Sequence, residues 1–245
     1  MLWKFVLLLV LVVNVLGIHI GISKDFQDND AIISYSGIIR FNTQGFNKGF
    51  PNNRVANLLR RAYAEMVTDY QQRQLPANNL PGAMIAFVTE NAEIYFASSM
   101  KGGRSIFIQE PTGPDDPIVR FEGIRRMLKA CQFGTHPRNH NYFGRCGEPS
   151  VVELYMSRHS GLVSDANGPI RGRILAWHGP TQSIISPCPD AMYEEGRYGC
   201  MTFLENQLPR VTRVTSATPD ATNEDSLDFL VAQRTWRQYT CAKPE

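Results

Sequence analysis

Three cysteines and one glutamate constrain this chain more than any other feature. The segment Gly144-Arg145-Cys146-Gly147-Glu148-Pro149 is followed by Ser186-Pro187-Cys188 and then by Cys200. Helical spacing follows the first cysteine (Val152, Tyr155, Met156) and the last (Phe203, Leu204). Pro149 suits a first turn, where backbone N–H groups have no intrahelical acceptor. A cysteine at a helix start is favoured as thiolate, because the unpaired N–H groups and the dipole stabilise negative charge. Glu148 lies two residues beyond Cys146, close enough to act on whatever the sulfurs hold. If these groups work together, the fold must carry the starts of two helices to one point.

The order of elements fits that demand. Val55, Leu58, Leu59, Ala62, Met66 and Tyr70 repeat at helical spacing, so a helix is expected over 52–74, capped by Asn52 or Asn53. Ala83–Val88 and Glu93–Ala97 read as a hairpin across Glu90-Asn91. A short third strand is expected at Ser105–Ile108. Asp115-Asp116 and Pro117 then open a second helix carrying Ile118, Phe121, Ile124 and Leu128. Arg173–Trp177 reads as a strand leading toward Cys188, and Val211–Val214 as the strand after the Cys200 helix. A closing helix is expected over 227–236. Residues 18–50 read as a loosely ordered lead-in with one edge strand. Strand–helix alternation of this kind predicts an α/β chain with one domain over 51–240.

The motifs resemble those of the cytidine deaminase-like superfamily, whose first motif is His or Cys, any residue, then Glu, and whose second is Pro-Cys followed by a further Cys. The resemblance covers roughly residues 82–215. It implies a three-layer α/β/α sandwich with a central mixed sheet. It also implies a zinc ion held by Cys146, Cys188 and Cys200, with Glu148 moving a proton between the attacking water and the substrate. The substrate class would be a nucleobase with an exocyclic amine, as a small molecule or in single-stranded nucleic acid. Arg145 would offset the charge of three thiolates. With those cysteines committed, Cys131 and Cys241 remain as a possible disulfide.

Other readings stay open beside this one. The interval between Cys188 and Cys200 also suits a disulfide, worth about 3 kcal/mol in loop-closure entropy. The chain would then be a non-catalytic binding or effector module of the same fold. His136 and His140 fit a solvated loop, His178 a structural strand end, and Trp177 the core. Ser98 and Ser99 stand where nucleoside deaminases carry an asparagine.

Composition narrows the setting. Net charge is +2, with Lys and Arg spread along the chain, which argues against a duplex-DNA patch or a polybasic membrane surface. Lys4, the apolar run Phe5–Val13 and the small residue Gly17 read as a signal peptide over 1–17. Secretion with no stable membrane anchor after cleavage is therefore expected. Self-assembly into a homo-oligomer is compatible with the sequence, but no segment marks an interface.

Overall fold

The computed structural model describes residues 20–25, 32–41, 50–102, 105, 107–131, 139–140, 144–159, 170–187 and 197–219. The expected signal peptide, the closing helix, Cys188, Cys241 and His136 lie outside the described residues. Among those residues the chain forms β1 (Ser23–Lys24), β2 (Ile32–Ile33), β3 (Tyr35–Arg40), α1 (Asn52–Gln72), β4 (Ala83–Thr89), β5 (Glu93–Ser98) and β6 (Lys101–Gly102). A 3-10 turn at Pro117–Phe121 runs into α2 (Glu122–Ala130). Then come β7 (Asn139–His140), α3 (Gly147–Arg158), β8 (Gly172–His178), β9 (Ser183–Ile185), β10 (Arg197–Tyr198), α4 (Cys200–Gln207) and β11 (Val211–Arg213).

The protein is mixed α/β, as the alternation predicts. One sheet runs in the order β1-β3-β5-β4-β8-β11, with β9 also on β8. Its pairs are antiparallel except β8–β11, which is parallel. Side chains alternate across the sheet with period two. Met84, Ala86, Val88, Ile94, Phe96, Leu175 and Trp177 form one core with Val55, Leu58, Leu59, Ala62 and Met66 of α1. Ile85, Phe87, Tyr95, Ala97, Ile174 and Ala176 form the other core. To that side α2 contributes Ile124 and Leu128, α3 Val151, Val152 and Tyr155, and α4 Phe203 and Leu204. Helices on both faces explain why Ala83–Val88 is an unbroken apolar run rather than an alternating one.

Several expectations need correction. Residues 18–50 are more than a lead-in with one edge strand: β3 is a six-residue strand lying between β1 and β5, and Tyr35 is fully buried. Short polar and glycine-bearing runs hide a strand whose pairing partner is remote in sequence. The α1 N-cap is Pro51, with no side-chain cap bond, rather than Asn52 or Asn53. Ser105–Ile108 forms no strand among its described residues; Lys101–Gly102 pairs instead with Ile32–Ile33. The motif helix begins at Gly147, two residues before Pro149, with Cys146 as its N-cap. Ile184 and Ile185, directly before Ser186-Pro187-Cys188, pair with β8 as part of β9. No helix among the described residues is long and apolar enough to cross a membrane.

Candidate metal centre

The starts of α3 and α4 meet at the end of the sheet formed by Ala83, Ser98 and His178, which the strand registers align. For the parallel pair β8–β11 this is the carboxyl end, where open α/β sheets present their sites. Cys146 is the N-cap residue of α3, with extended backbone (φ −65, ψ 154), and Glu148 is in the first turn. Cys200 is the first residue of α4, after an extended N-cap Gly199. Their ligand atoms, two Sγ and one carboxylate oxygen, all lie within 4.8 Å of one another. Cys200 is wholly buried and Glu148 is 6% exposed.

This donor set fits a metal ion. Two sulfurs bound to one tetrahedral zinc at about 2.3 Å stand roughly 3.8 Å apart, inside the observed envelope. Each thiolate would sit at a helix N-terminus, and each dipole there contributes about 0.3–1 kcal/mol toward negative charge.

Local packing fixes the geometry of the first cysteine. Gly144 precedes it with a left-handed φ of 72°, a turn that a β-carbon would strain. Gly147 follows it, pressed against the sheet: a β-carbon there would stand 2.0 Å from Ile85 Cδ1 and 3.1 Å from the Ala97 carbonyl. The residue between Cys146 and Glu148 therefore has to be small, so that α3 can begin directly on β4 and β5. The Cys146 carbonyl accepts from Ser150 Oγ at 3.3 Å. The Met100 N–H donates to the Arg145 carbonyl at 2.8 Å. A two-residue parallel pairing of β7 with β10 ties the segment before Cys146 to the segment before Cys200.

The remaining expected residues divide. Arg145 is beside Cys146 in the chain, and its Nη1 donates to the Gly102 carbonyl at 3.3 Å. His178 hydrogen-bonds Thr181 through Nδ1 at 2.9 Å, the structural strand-end role expected of it. Trp177 is in the core, 1% exposed. Cys131 is buried beside α2, while its suggested partner Cys241 lies outside the described residues. Ser98 accepts the Tyr35 N–H at 2.9 Å and donates to the Ser99 carbonyl at 3.0 Å. No periodicity or motif signals that bond, because its two halves come from distant strands.

A second polar cluster occupies the opposite end of β5. Glu93 accepts from Tyr95 Oη at 2.6 Å and from Arg40 Nε at 2.7 Å. His159 Nε2 lies 3.2 Å from the same carboxylate and 2.9 Å from Tyr95 Oη. Burial alone would raise the Glu93 carboxyl, but the bonds from Tyr95 and Arg40 and the charge of Arg40 outweigh it and hold it below the usual range. Burial and the neighbouring Glu93 push the Tyr95 phenol well above its ordinary value. This network clasps the far end of the sheet to the end of α3. It was not legible in the sequence, where Glu93 reads only as the first residue of a strand.

The fold and site thus define a mixed α/β protein with a cysteine–carboxylate cluster able to hold a metal ion. No family model, curated protein or solved structure matches the chain.

Proposed function

We propose that the chain is a secreted zinc-dependent hydrolase of the cytidine deaminase-like class, removing the exocyclic amine of a nucleobase. The base would be carried by a nucleoside, a nucleotide or a single strand. The observation that carries this reading is the convergence of Cys146, Glu148 and Cys200 within 4.8 Å. Support comes from the surrounding order, in which a hairpin precedes two helices that each begin on a cysteine. In that class the hairpin and motif helices follow the same sequence, with the carboxylate two residues beyond the first ligand. Cleavage of residues 1–17 on export belongs to the same proposal.

Cys146 and Cys200 would hold the ion as thiolates, with Cys188 as the proposed third ligand. When bound, zinc supplies a Lewis acid and a water of lowered pKa. Glu148, buried beside the two sulfurs, would accept a proton from the attacking water. It delivers the proton to the ring nitrogen beside the amine-bearing carbon, which the water oxygen attacks. Glu148 would then carry the proton of the added hydroxyl to the amine; the C–N bond breaks, the C=O bond forms, and ammonia leaves. Positioned proton transfer of this type contributes about 10²–10⁴-fold.

The test is metal content and thiol accessibility on the purified mature protein, followed by ammonia release from cytidine, adenosine and short oligonucleotides. Expected are about one zinc per chain, thiols that titrate only after chelation, and release from at least one substrate. A metal-free protein with Cys188 and Cys200 joined as a disulfide would rule the reading out in favour of the non-catalytic module.

A further inference from the structure

The Cys146 loop is held from a direction that the sequence does not indicate. Its carbonyl at Arg145 accepts from the Met100 N–H at 2.8 Å, and Arg145 Nη1 donates to the Gly102 carbonyl. The 98–102 segment therefore grips Arg145 by backbone and side chain together. That segment is itself weak: β6 is only two residues long, and an isolated pair of that length has little stability of its own. Its support is the N-terminal part of the chain. Ile32 and Ile33 pair with Gly102 and Lys101, and both isoleucines are buried. The Tyr35 N–H reaches Ser98 Oγ at 2.9 Å, with Ser98 fully buried. From there β3 continues along β5, so the grip is anchored in the sheet.

We propose that residues 32–35 act as a strap that positions Cys146, so that the N-terminal segment is part of the metal centre. This rests on the metal reading of Cys146, Glu148 and Cys200. A ligand sulfur must be held within a fraction of an ångström to match a tetrahedral ion. Ordering a loose loop at the moment of binding would cost conformational entropy for every residue fixed. The strap meets that cost at folding, and Ser98 and Arg145 serve as positioning residues rather than catalytic ones.

The experiment is a cobalt(II) titration of the full chain, reading thiolate-to-cobalt charge-transfer absorption, with thermal unfolding of the metal-free protein measured alongside. Ser98→Ala removes the acceptor of the Tyr35 N–H, and Arg145→Met removes the tie to Gly102. Arg40→Met loosens the far end of the same strand β3 and serves as the control. Ser98→Ala and Arg145→Met should each weaken cobalt binding about tenfold, the lower end of what supporting residues around metal sites deliver. Arg40→Met should leave affinity within about twofold at a comparable loss of melting temperature. If Ser98→Ala does not fold, Arg145→Lys decides, because it keeps the positive charge beside Cys146 while losing the guanidinium bond to the Gly102 carbonyl. Unchanged affinity in Ser98→Ala and Arg145→Met, or an equal loss in Arg40→Met, overturns the strap while leaving the metal reading intact. A wild-type chain that binds no cobalt overturns both.

Discussion

Gly147 rests against Ile85 so closely that a methyl group on its Cα would stand 2.0 Å from Ile85 Cδ1 and 2.8 Å from Ile85 Cγ1. The contact sets how near the first turn of α3 comes to the sheet, and with it where Cys146 and Glu148 point. Ile85 is 1% exposed and enclosed by the core, so it has little room to yield. Gly147→Ala should destabilise the protein by about 1–3 kcal/mol, the usual cost of overpacking. In a double-mutant cycle with Ile85→Val, measured by urea denaturation, part of that loss should return. Additive effects would mean that the two residues are not in competition for the same space.

Glu148 gives the sharpest test of chemistry against architecture. Glu148→Gln keeps the shape and the first-turn position but cannot accept a proton. Turnover should fall about 10²–10⁴-fold while zinc stoichiometry stays at the wild-type level. Cys200→Ser should do the reverse, abolishing stoichiometric metal because the buried hydroxyl is a poor substitute for a thiolate. Retained activity in Glu148→Gln would remove that carboxylate from the reaction.

Glu93 should make the protein acid-sensitive. Its folded pKa lies below the unfolded value. The stability it contributes is therefore present above the unfolded pKa and is lost as pH falls through the folded one. Denaturant midpoints should drop on acidification below about pH 5 in the wild type. Glu93→Gln should be less stable near neutrality and should show a shallower loss on acidification. Parallel pH profiles for the two proteins would separate the network from acid stability.

Glu153 should act in the opposite sense. Burial pushes its carboxyl up to about 8, with the Arg120 charge opposing only in part. An acid whose folded pKa is raised favours the folded state below the unfolded pKa, and that advantage is lost as pH rises toward about 8. Glu153→Gln should therefore be more stable than the wild type at pH 8, with the difference vanishing near pH 4. Equal midpoints at pH 8 would show that Glu153 finds a charge partner or water in solution.

Much of the scaffold was readable because it is local. Apolar spacing from Val55 to Tyr70 marks α1, and two apolar runs across Glu90-Asn91 mark the β4–β5 hairpin. Asp116 caps the Pro117 turn through a bond from the Ile118 N–H at 3.0 Å, as its position before proline leads one to expect. The strand β3 was hidden because its stability comes from pairing with β5, more than fifty residues away, and not from its own composition. The β2–β6 pair was hidden for the same reason, and the local propensity of Ser105–Ile108 produces no strand among its described residues.

Residue identity and spacing alone determined the chemical candidates: cysteines at two helix starts, a carboxylate two positions past the first, and a glycine between them. Those facts depend on 3.6-residue periodicity and helix-end electrostatics, which act over a few residues. Only the tertiary structure decided that Cys146, Glu148 and Cys200 meet, because their distance is set by how α3 and α4 dock on the sheet. It alone also decided that Gly147 is there for close approach, and that Tyr35 and Ser98 brace the loop. Contacts between distant segments are paid for by burial across the whole sheet, a quantity that no single stretch of sequence contains.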